Sequence, residues 1–233
     1  MIGVVVPAHD EAHLIGDCLA SIGRAAAEPA LHNEQVLVVV VLDACSDATG
    51  DVARSLGATT LGLTSRNVGI ARAAGAHHCL AAGARWLAFT DADSQVAPDW
   101  LADQLALADA GHDAVCGTVA VADWQDHDEA TQRRYHAAYT DADGHRHIHG
   151  ANLGIAAAAY RRAGGFPPFA CSEDVALVEA LLAGGASVAW SARPRVTTSA
   201  RRDFRAAGGF GATLLRLAGV GIERPAAAPI GAC

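Results

Sequence analysis

The stretch Gln35 to Leu42 is apolar at every position after the first, with Val-Leu-Val-Val-Val-Val inside it. Side chains on a strand alternate between two faces, so a run that does not alternate must be covered on both. That requirement points to a parallel strand held between helix layers, the α/β class. Met1 to Val6, Thr59 to Leu63 and Trp86 to Phe89 repeat the pattern on a smaller scale. Each run ends in a polar tip and is followed by helical signals. Leu14, Ile15, Cys18, Leu19 and Ile22 recur at helical spacing after the first, and Ser46, Asp47 and Thr49 offer N-caps for a helix to Leu56, closed by Gly57. A third helix opens at Ser65-Arg-Asn-Val and ends near Gly83, and Pro98 suits the first turn of a fourth. Four β–α units in about a hundred residues predict a mainly parallel central sheet flanked by helices.

Beyond Gly111 the rhythm changes. Asp113 to Val121 reads as a strand and Asp128 to Tyr139 as a polar helix. His145-Arg-His-Ile-His149 alternates, which would put three imidazoles on one strand face. A short helix over Ala156 to Ala163 breaks at Gly164-Gly-Phe-Pro-Pro168, and Ser172-Glu-Asp opens an amphipathic helix stopped by Gly184-Gly185. A last strand, Ser187 to Trp190, precedes an arginine-rich segment from Arg193 to Arg205. The organisation expected is one domain, 1–218, of two abutting halves (1–110 and 111–218), with a flexible Ala- and Pro-rich tail over 219–233.

Composition removes several classes. A net charge of −8 argues against a nucleic-acid partner. All 17 basic residues are arginine, which excludes a Schiff-base lysine and a P-loop lysine. The six cysteines form no C-x-x-C pair and read as reduced thiols rather than zinc ligands or disulfides. No stretch approaches the ~18 apolar residues of a transmembrane segment, so a soluble, cytoplasmic protein is the expectation.

The chemistry sits at the strand tips, where ligands bind in open α/β sheets. Trp86-Leu-Ala-Phe-Thr-Asp-Ala-Asp93 ends a buried run in two carboxylates, Asp91 and Asp93. They can hold a hard divalent cation or simply cap a turn. Asp43 and Asp47 can meet a ligand or cap a helix, and Glu11 can line the first loop or face the helix dipole. Ser172-Glu173-Asp174 can be a capping cluster or can supply a base whose ionised form the helix N-terminus favours.

Taken together, four stretches resemble the inverting glycosyltransferases of family 2. Val-Val-Val-Pro7-Ala-His9-Asp-Glu11 resembles their opening Pro-x-x-Asn-Glu, and Asp43-Ala-Cys-Ser-Asp47-Ala-Thr49 their Asp-Gly-Ser-x-Asp-x-Thr. Arg66-Asn67-Val-Gly69 with Asp91-Ala-Asp93 resembles Asn-x-Gly and Asp-x-Asp. Gly164-Gly165-Phe166 with Ser172-Glu173-Asp174 resembles Gly-Gly-Phe and Glu-Asp. The order spans roughly residues 2 to 190. The resemblance implies a GT-A fold, a nucleotide-sugar donor (uridine type by analogy), a hydroxyl acceptor, and Mg²⁺ or Mn²⁺. It implies Asp93 as metal ligand, with Asp91 reaching the ribose or a metal-bound water. Pro7, Ala8, His9, Glu11, Asp43, Arg66, Asn67, Arg72 and Ala92 would border the nucleotide sugar, with Asp43 on the base and Arg66 and Arg72 on phosphate or base. Asp174 is the expected base and Glu173 the alternative. His149 and Asn152 would lie by the sugar or acceptor, where a plain surface strand is the other reading. Arg201 and Arg202 would close over the diphosphate or form a solvated face. Departures are Leu42 for the usual aspartate before Asp43, Asp10 for the usual asparagine, and the missing arginine in Gly154-Ile-Ala-Ala-Ala-Ala-Tyr160. A non-catalytic nucleotide-sugar-binding module is the alternative. A sugar nucleotidyltransferase would need a Gly-rich loop and a lysine that Pro7 to Glu11 lacks.

Overall fold

The computed structural model describes residues 1–121, 123–201, Leu214 and Ala218. The expectations for Arg202 and for 219–233 lie outside the described residues. The elements run β1 (Ile2–Ala8), α1 (Ile15–Ala26), β2 (Val36–Asp43), α2 (Thr49–Ser55), β3 (Thr59–Leu63), α3 (Val68–Ala81), β4 (Trp86–Phe89) and β5 (Ser94–Val96). They continue with α4 (Trp100–Asp109), β6 (Ala114–Val121), α5 (Glu129–Ala138), β7 (Leu153–Ala156), α6 (Ala157–Arg162), α7 (Glu173–Ala183) and β8 (Val188–Thr198).

One eight-stranded sheet takes the order β3-β2-β1-β4-β7-β6-β8-β5. β1 lies parallel between β2 and β4, and β3 is parallel to β2. This is the parallel half predicted from the repeated β–α units. The second half is mixed: β7 runs antiparallel to both β4 and β6, β6 is parallel to β8, and β5 is antiparallel to β8. The unbroken apolar runs are explained by burial on both faces. Val4, Val6 and Val40 join a core with Ile15, Ile22, Trp100 and Leu101, under α1 and α4. Val5, Val39 and Val41 join the opposite core with Ala71, Ala76, Leu177 and Leu181, under α3 and α7. Each fully buried aliphatic side chain contributes about 1.5–3 kcal/mol over its exposed state.

Three expectations are corrected. β8 continues to Thr198 instead of stopping at Trp190, because Arg193 and Arg195 occupy its exposed face while Pro194, Val196 and Thr198 turn inward. The segment 145–149 is not a strand: backbone N–H groups of Thr140 and His147 bond to the rings of His147 and His145 rather than to a neighbouring strand. Cys171 is disulfide-bonded, to a partner outside the described residues, whereas Cys18, Cys45, Cys79 and Cys116 are free. No C-x-x-C spacing announces a bridge of that kind.

Candidate active site

A cavity of about 810 Å³ opens where β1, β2 and β4 end, and reaches across to residues 147–151 and the start of α7. Four non-glycine residues around it take left-handed backbone: Asp10 (φ 52°), Ala44 (56°), Arg66 (49°) and Ser172 (59°). Such conformations persist only where surroundings hold them, and they cluster at functional sites. Side chains here do the holding. Asp10 accepts the N–H groups of Ser46 (2.6 Å) and Asp47 (3.2 Å), and Asp47 accepts those of Ala12 and Thr49. Cys45 approaches the same two carboxylates, but those bonds already clasp the turn, and burial pushes its thiol up.

Asp43 is drawn into the same work. Its two oxygens accept N–H groups from Ser65 (2.7 Å), Arg66 (2.9 Å) and Asn67 (2.7 Å), plus the Ser65 hydroxyl. Burial raises its carboxyl, but these bonds outweigh it and hold the group below its usual range. The direct contact to a base expected of Asp43 therefore gives way to shaping the loop that presents Arg66, whose exposed side chain lines the cavity. His9 is oriented by its Nδ1, which donates to the Asp43 carbonyl at 2.7 Å. A carbonyl only accepts, so Nδ1 carries the proton. Pro7, Ala8 and Ala92 complete this wall.

Asn67 caps α3 by accepting from Ile70 N–H (3.0 Å) and donates to the Pro168 carbonyl (3.0 Å). Gly69 N–H donates to Phe169 O (3.1 Å). A methyl on Gly69 would stand 2.3 Å from Pro167 O and 2.7 Å from Phe169 O, so the 167–169 backbone can lie on α3 only over glycine. Gly69→Ala is expected to lower stability by about 1–3 kcal/mol, the usual cost of overpacking against backbone. Turnover should fall with it, because the displaced loop leads into α7. Urea unfolding checks this, and a midpoint equal to wild type would contradict it.

Arg72 is buried in α3 and pairs with Glu173 through Nη1 and with Asp91 through Nη2. Burial disfavours its charge, but Asp91, Glu173 and Asp174 more than compensate and the guanidinium is held ionised. The expected phosphate contact is corrected: Arg72 is a brace between the Asp-Ala-Asp tip and α7. Glu173 is likewise buried, its carboxyl raised by burial against the opposing pull of Arg72. Asp174 lines the cavity beside it and, among the described residues, without an arginine bond; it accepts Gly150 N–H on Oδ2 (2.7 Å) and its neighbour Val175 N–H on Oδ1 (2.8 Å). Gly150 must lack a side chain, since a Cβ would fall 2.4 Å from the Arg72 guanidinium carbon.

At the other end of the Asp-Ala-Asp turn, Arg201 makes a two-pronged pair with buried Glu11 and lies 3.3 Å from Asp93. Glu11 thus sits in the first loop as an arginine partner rather than at the helix dipole. Burial, then the Asp91 charge, raises the Asp93 carboxyl to about 6, against the pull of Arg201. Among the described residues Glu11, Asp43, Asp91, Asp93, Glu173 and Asp174 border the cavity against Arg66, Arg72 and Arg201, six carboxylates to three guanidiniums. An acidic cluster around a carboxyl reluctant to ionise fits a hard divalent cation on Asp93 and Asp91, with most of its shell left to water and phosphate oxygen.

Asn152 does not face this space. Its amide donates to Thr118 O (2.7 Å) and Pro194 O (2.9 Å) and accepts from Trp100 Nε1 (2.9 Å), which bolts β6, β8 and α4 together. His149 does line the cavity, beside residues that the sequence reading missed: Tyr135, Tyr139 and His147. The signal for the tyrosines was available in their spacing of four on a predicted helix, which places them on one face. The role of Gly150 had no local signal.

A family model described as glycosyl transferase family 2 matches residues 3–164. No curated protein gives a significant sequence match. Among solved structures the chain is similar to S. aureus TarS 1–349 (17% identity, TM-score 0.65), covering 94% of this chain and 64% of that one. The same fragment in complex with UDP-GlcNAc gives a TM-score of 0.66 at 16% identity. The mannosyltransferase PcManGT from Pyrobaculum calidifontis, in complex with GDP-Man and Mn²⁺, gives 0.65 at 23% identity, covering 87% of this chain and 57% of that one. The chain thus spans less than two thirds of these relatives, and the similarity establishes the GT-A fold. Among the described residues no helix is long and apolar enough to cross a membrane.

Proposed function

The chain belongs to glycosyltransferase family 2, and from that membership we propose that it transfers a sugar from a nucleoside-diphosphate donor, of uridine type, to a hydroxyl acceptor with inversion. The observation that carries this reading is the convergence of Asp91, Asp93 and Asp174 on one cavity, braced by Arg72. Mg²⁺ or Mn²⁺ on Asp93 and Asp91 would neutralise the charge of the departing diphosphate. The rest falls to the chain's own groups. His9, Pro7, Ala8 and Ala92 border the nucleoside, and Arg66 offers its guanidinium to phosphate or base. Asp174, oriented by the Gly150 N–H, takes the proton of the acceptor hydroxyl as its oxygen bonds to the anomeric carbon and the bond to diphosphate breaks. One displacement assisted by one carboxylate inverts the centre. Glu173, buried on Arg72, is left the structural part.

A thermal-shift panel of UDP- and GDP-sugars with and without Mn²⁺ tests this reading. A matched donor at 100 times its Kd stabilises by about 2.7 kcal/mol. Stabilisation by nucleotide sugar only when Mn²⁺ is present supports the reading; no shift with any donor would refute it. The pH dependence follows from Asp93. Its folded pKa is raised, so without cation its contribution favours the folded state at low pH and is lost as pH rises from about 4 through about 6. Protons and cation compete for this carboxylate, so the shift produced by Mn²⁺ is expected to be larger at pH 7 than at pH 5. An equal shift at both would remove Asp93 from the cation site.

A further inference from the structure

Each of the two carboxylates assigned to the cation already faces a guanidinium. Asp91 is bonded to Arg72, which lies inside α3 and is itself pinned to Glu173. Asp93 has Arg201, whose Nη2 stands 3.3 Å from its Oδ2. The register of two strands delivers this second arginine. β5 begins at Ser94, directly after Asp93, and pairs antiparallel with β8 so that Ser94 lies opposite Thr198. Their hydroxyls bond at 2.9 Å, and Thr198 ends β8 shortly before Arg201. Glu11 then fixes the guanidinium: Arg201 Nη1 donates to its Oε2 (2.7 Å) and Nη2 to its Oε1.

Glu11 is a stiff anchor. Its own N–H donates to Thr49 Oγ1 (2.8 Å), and its carbonyl accepts the N–H groups of Leu14 (3.0 Å) and Ile15 (2.9 Å) as α1 begins. Its carboxylate is buried, so losing Arg201 would strand a desolvated charge. The two-pronged geometry holds the planar guanidinium in one orientation, with Nη2 shared between Glu11 and Asp93. Arg201 is thus a fixed positive charge in contact with the carboxylate a divalent cation would use. Like charges that close together repel, and partial burial weakens the screening by water. A bare cation on Asp93 meets this repulsion in full. A diphosphate changes the balance, because its oxygens can bond a cation and a guanidinium at once.

Resting on the glycosyltransferase reading, we propose that Arg201, anchored on Glu11, makes the cation site conditional on nucleotide: Asp93 and Asp91 take a free divalent cation weakly and a cation accompanied by a nucleoside diphosphate tightly. In the empty site Arg201 supplies part of the positive charge that the carboxylates call for. When both ligands are present, the same charge attracts the diphosphate and the repulsion is offset. The coupling is reciprocal, so nucleotide raises cation affinity by the factor by which cation raises nucleotide affinity. Glu11 and Arg201 are positioning residues in this account: they set when the cation binds, and Asp93 and Asp91 hold it.

The test reads Mn²⁺ affinity from the paramagnetic resonance signal of the free ion, with the full chain titrated alone and with UDP or GDP. Protein-free titrations correct for the complex that ion and nucleotide form in buffer. Arg201→Met is expected to tighten Mn²⁺ without nucleotide by at least about fivefold, the lower end of coupling between two sites. The factor by which nucleotide enhances Mn²⁺ binding should fall by at least as much. Arg201→Met leaves Glu11 stranded, so Arg201→Met with Glu11→Gln removes both partners and should show the same two changes. Arg66→Met serves as the charge control: Arg66 borders the same cavity but, among the described residues, makes no ion pair with Asp93. It should leave the affinity for Mn²⁺ alone within about twofold of wild type, well under the tenfold that 1.4 kcal/mol represents. If Mn²⁺ binds but neither Arg201 variant tightens it in the absence of nucleotide, or Arg66→Met tightens it equally, the conditional site is overturned. If Mn²⁺ binds neither wild type nor any variant, with or without UDP or GDP, the cation reading itself fails, and this inference with it.

Discussion

Asp174→Asn is expected to lower transfer by about 10²–10⁴-fold, the range that a positioned general base contributes. The single amide oxygen can keep the Gly150 N–H that holds the loop, at the expense of the bond from the neighbouring Val175 N–H, so the loop should stay as it is. What the substitution removes is the capacity to take a proton. Affinity for the nucleotide sugar, measured by calorimetry, should stay within about twofold of wild type, well under the 1.4 kcal/mol that marks a tenfold change. Loss of donor affinity with retention of residual turnover would put Asp174 on the donor rather than on the acceptor hydroxyl. Glu173→Gln supplies the contrast: it should act on stability first, since this carboxylate faces Arg72 inside the protein.

The second large effect is on folding. Arg72→Met would leave Glu173, whose side chain is only 3% exposed, buried without its cation. Breaking a buried pair from one side costs about 3–5 kcal/mol, because the partner's charge stays desolvated. The cost has a pH signature. Without Arg72, burial raises the Glu173 carboxyl further and the group can escape by protonation, so the loss of stability should be smaller at pH 5 than at pH 8. Urea unfolding at the two values measures it. Replacing both partners, Arg72→Met with Glu173→Met, should recover most of the loss, since an apolar pair of similar volume no longer strands a charge. A loss below about 1 kcal/mol for the single change, equal at both pH values, would show that the pair is not desolvated.

Arg72 also marks the boundary of what a chain of letters can convey here. The parallel half of the sheet was legible because runs such as Val36–Leu42, Met1–Val6 and Trp86–Phe89 must be buried on both faces, and they are, whereas the edge strand Thr59–Leu63 packs its leucines only on the α3 side. The Asp-Ala-Asp tip and the Ser-Glu-Asp helix start were legible because strand ends and helix N-termini are where carboxylates do chemistry. Which carboxylate was bound to a buried arginine and which was held by backbone N–H groups was not legible. That distinction between Glu173 and Asp174 depends on a guanidinium a hundred residues away. The same limit applied to Asp43, whose acceptor capacity is taken by the N–H groups of 65–67, and to Asn152, whose amide is used up between β6, β8 and α4. Long-range hydrogen bonds decide whether a polar side chain is scaffold or site, and spacing carries no trace of them. β8 was read too short for a different reason: Arg193 and Arg195 looked like a charged segment, although their spacing of two is that of one exposed strand face.

The central claim is that these carboxylates transfer a sugar, not merely hold one. The most direct measurement is release of nucleoside diphosphate from UDP- and GDP-sugars, followed with Mn²⁺ and a panel of hydroxyl acceptors, for wild type, Asp93→Ala and Asp174→Asn. The account predicts release that requires both Mn²⁺ and an acceptor, and that collapses in both variants. Donor binding in the wild type without turnover for any acceptor, or full turnover by Asp93→Ala, would contradict it.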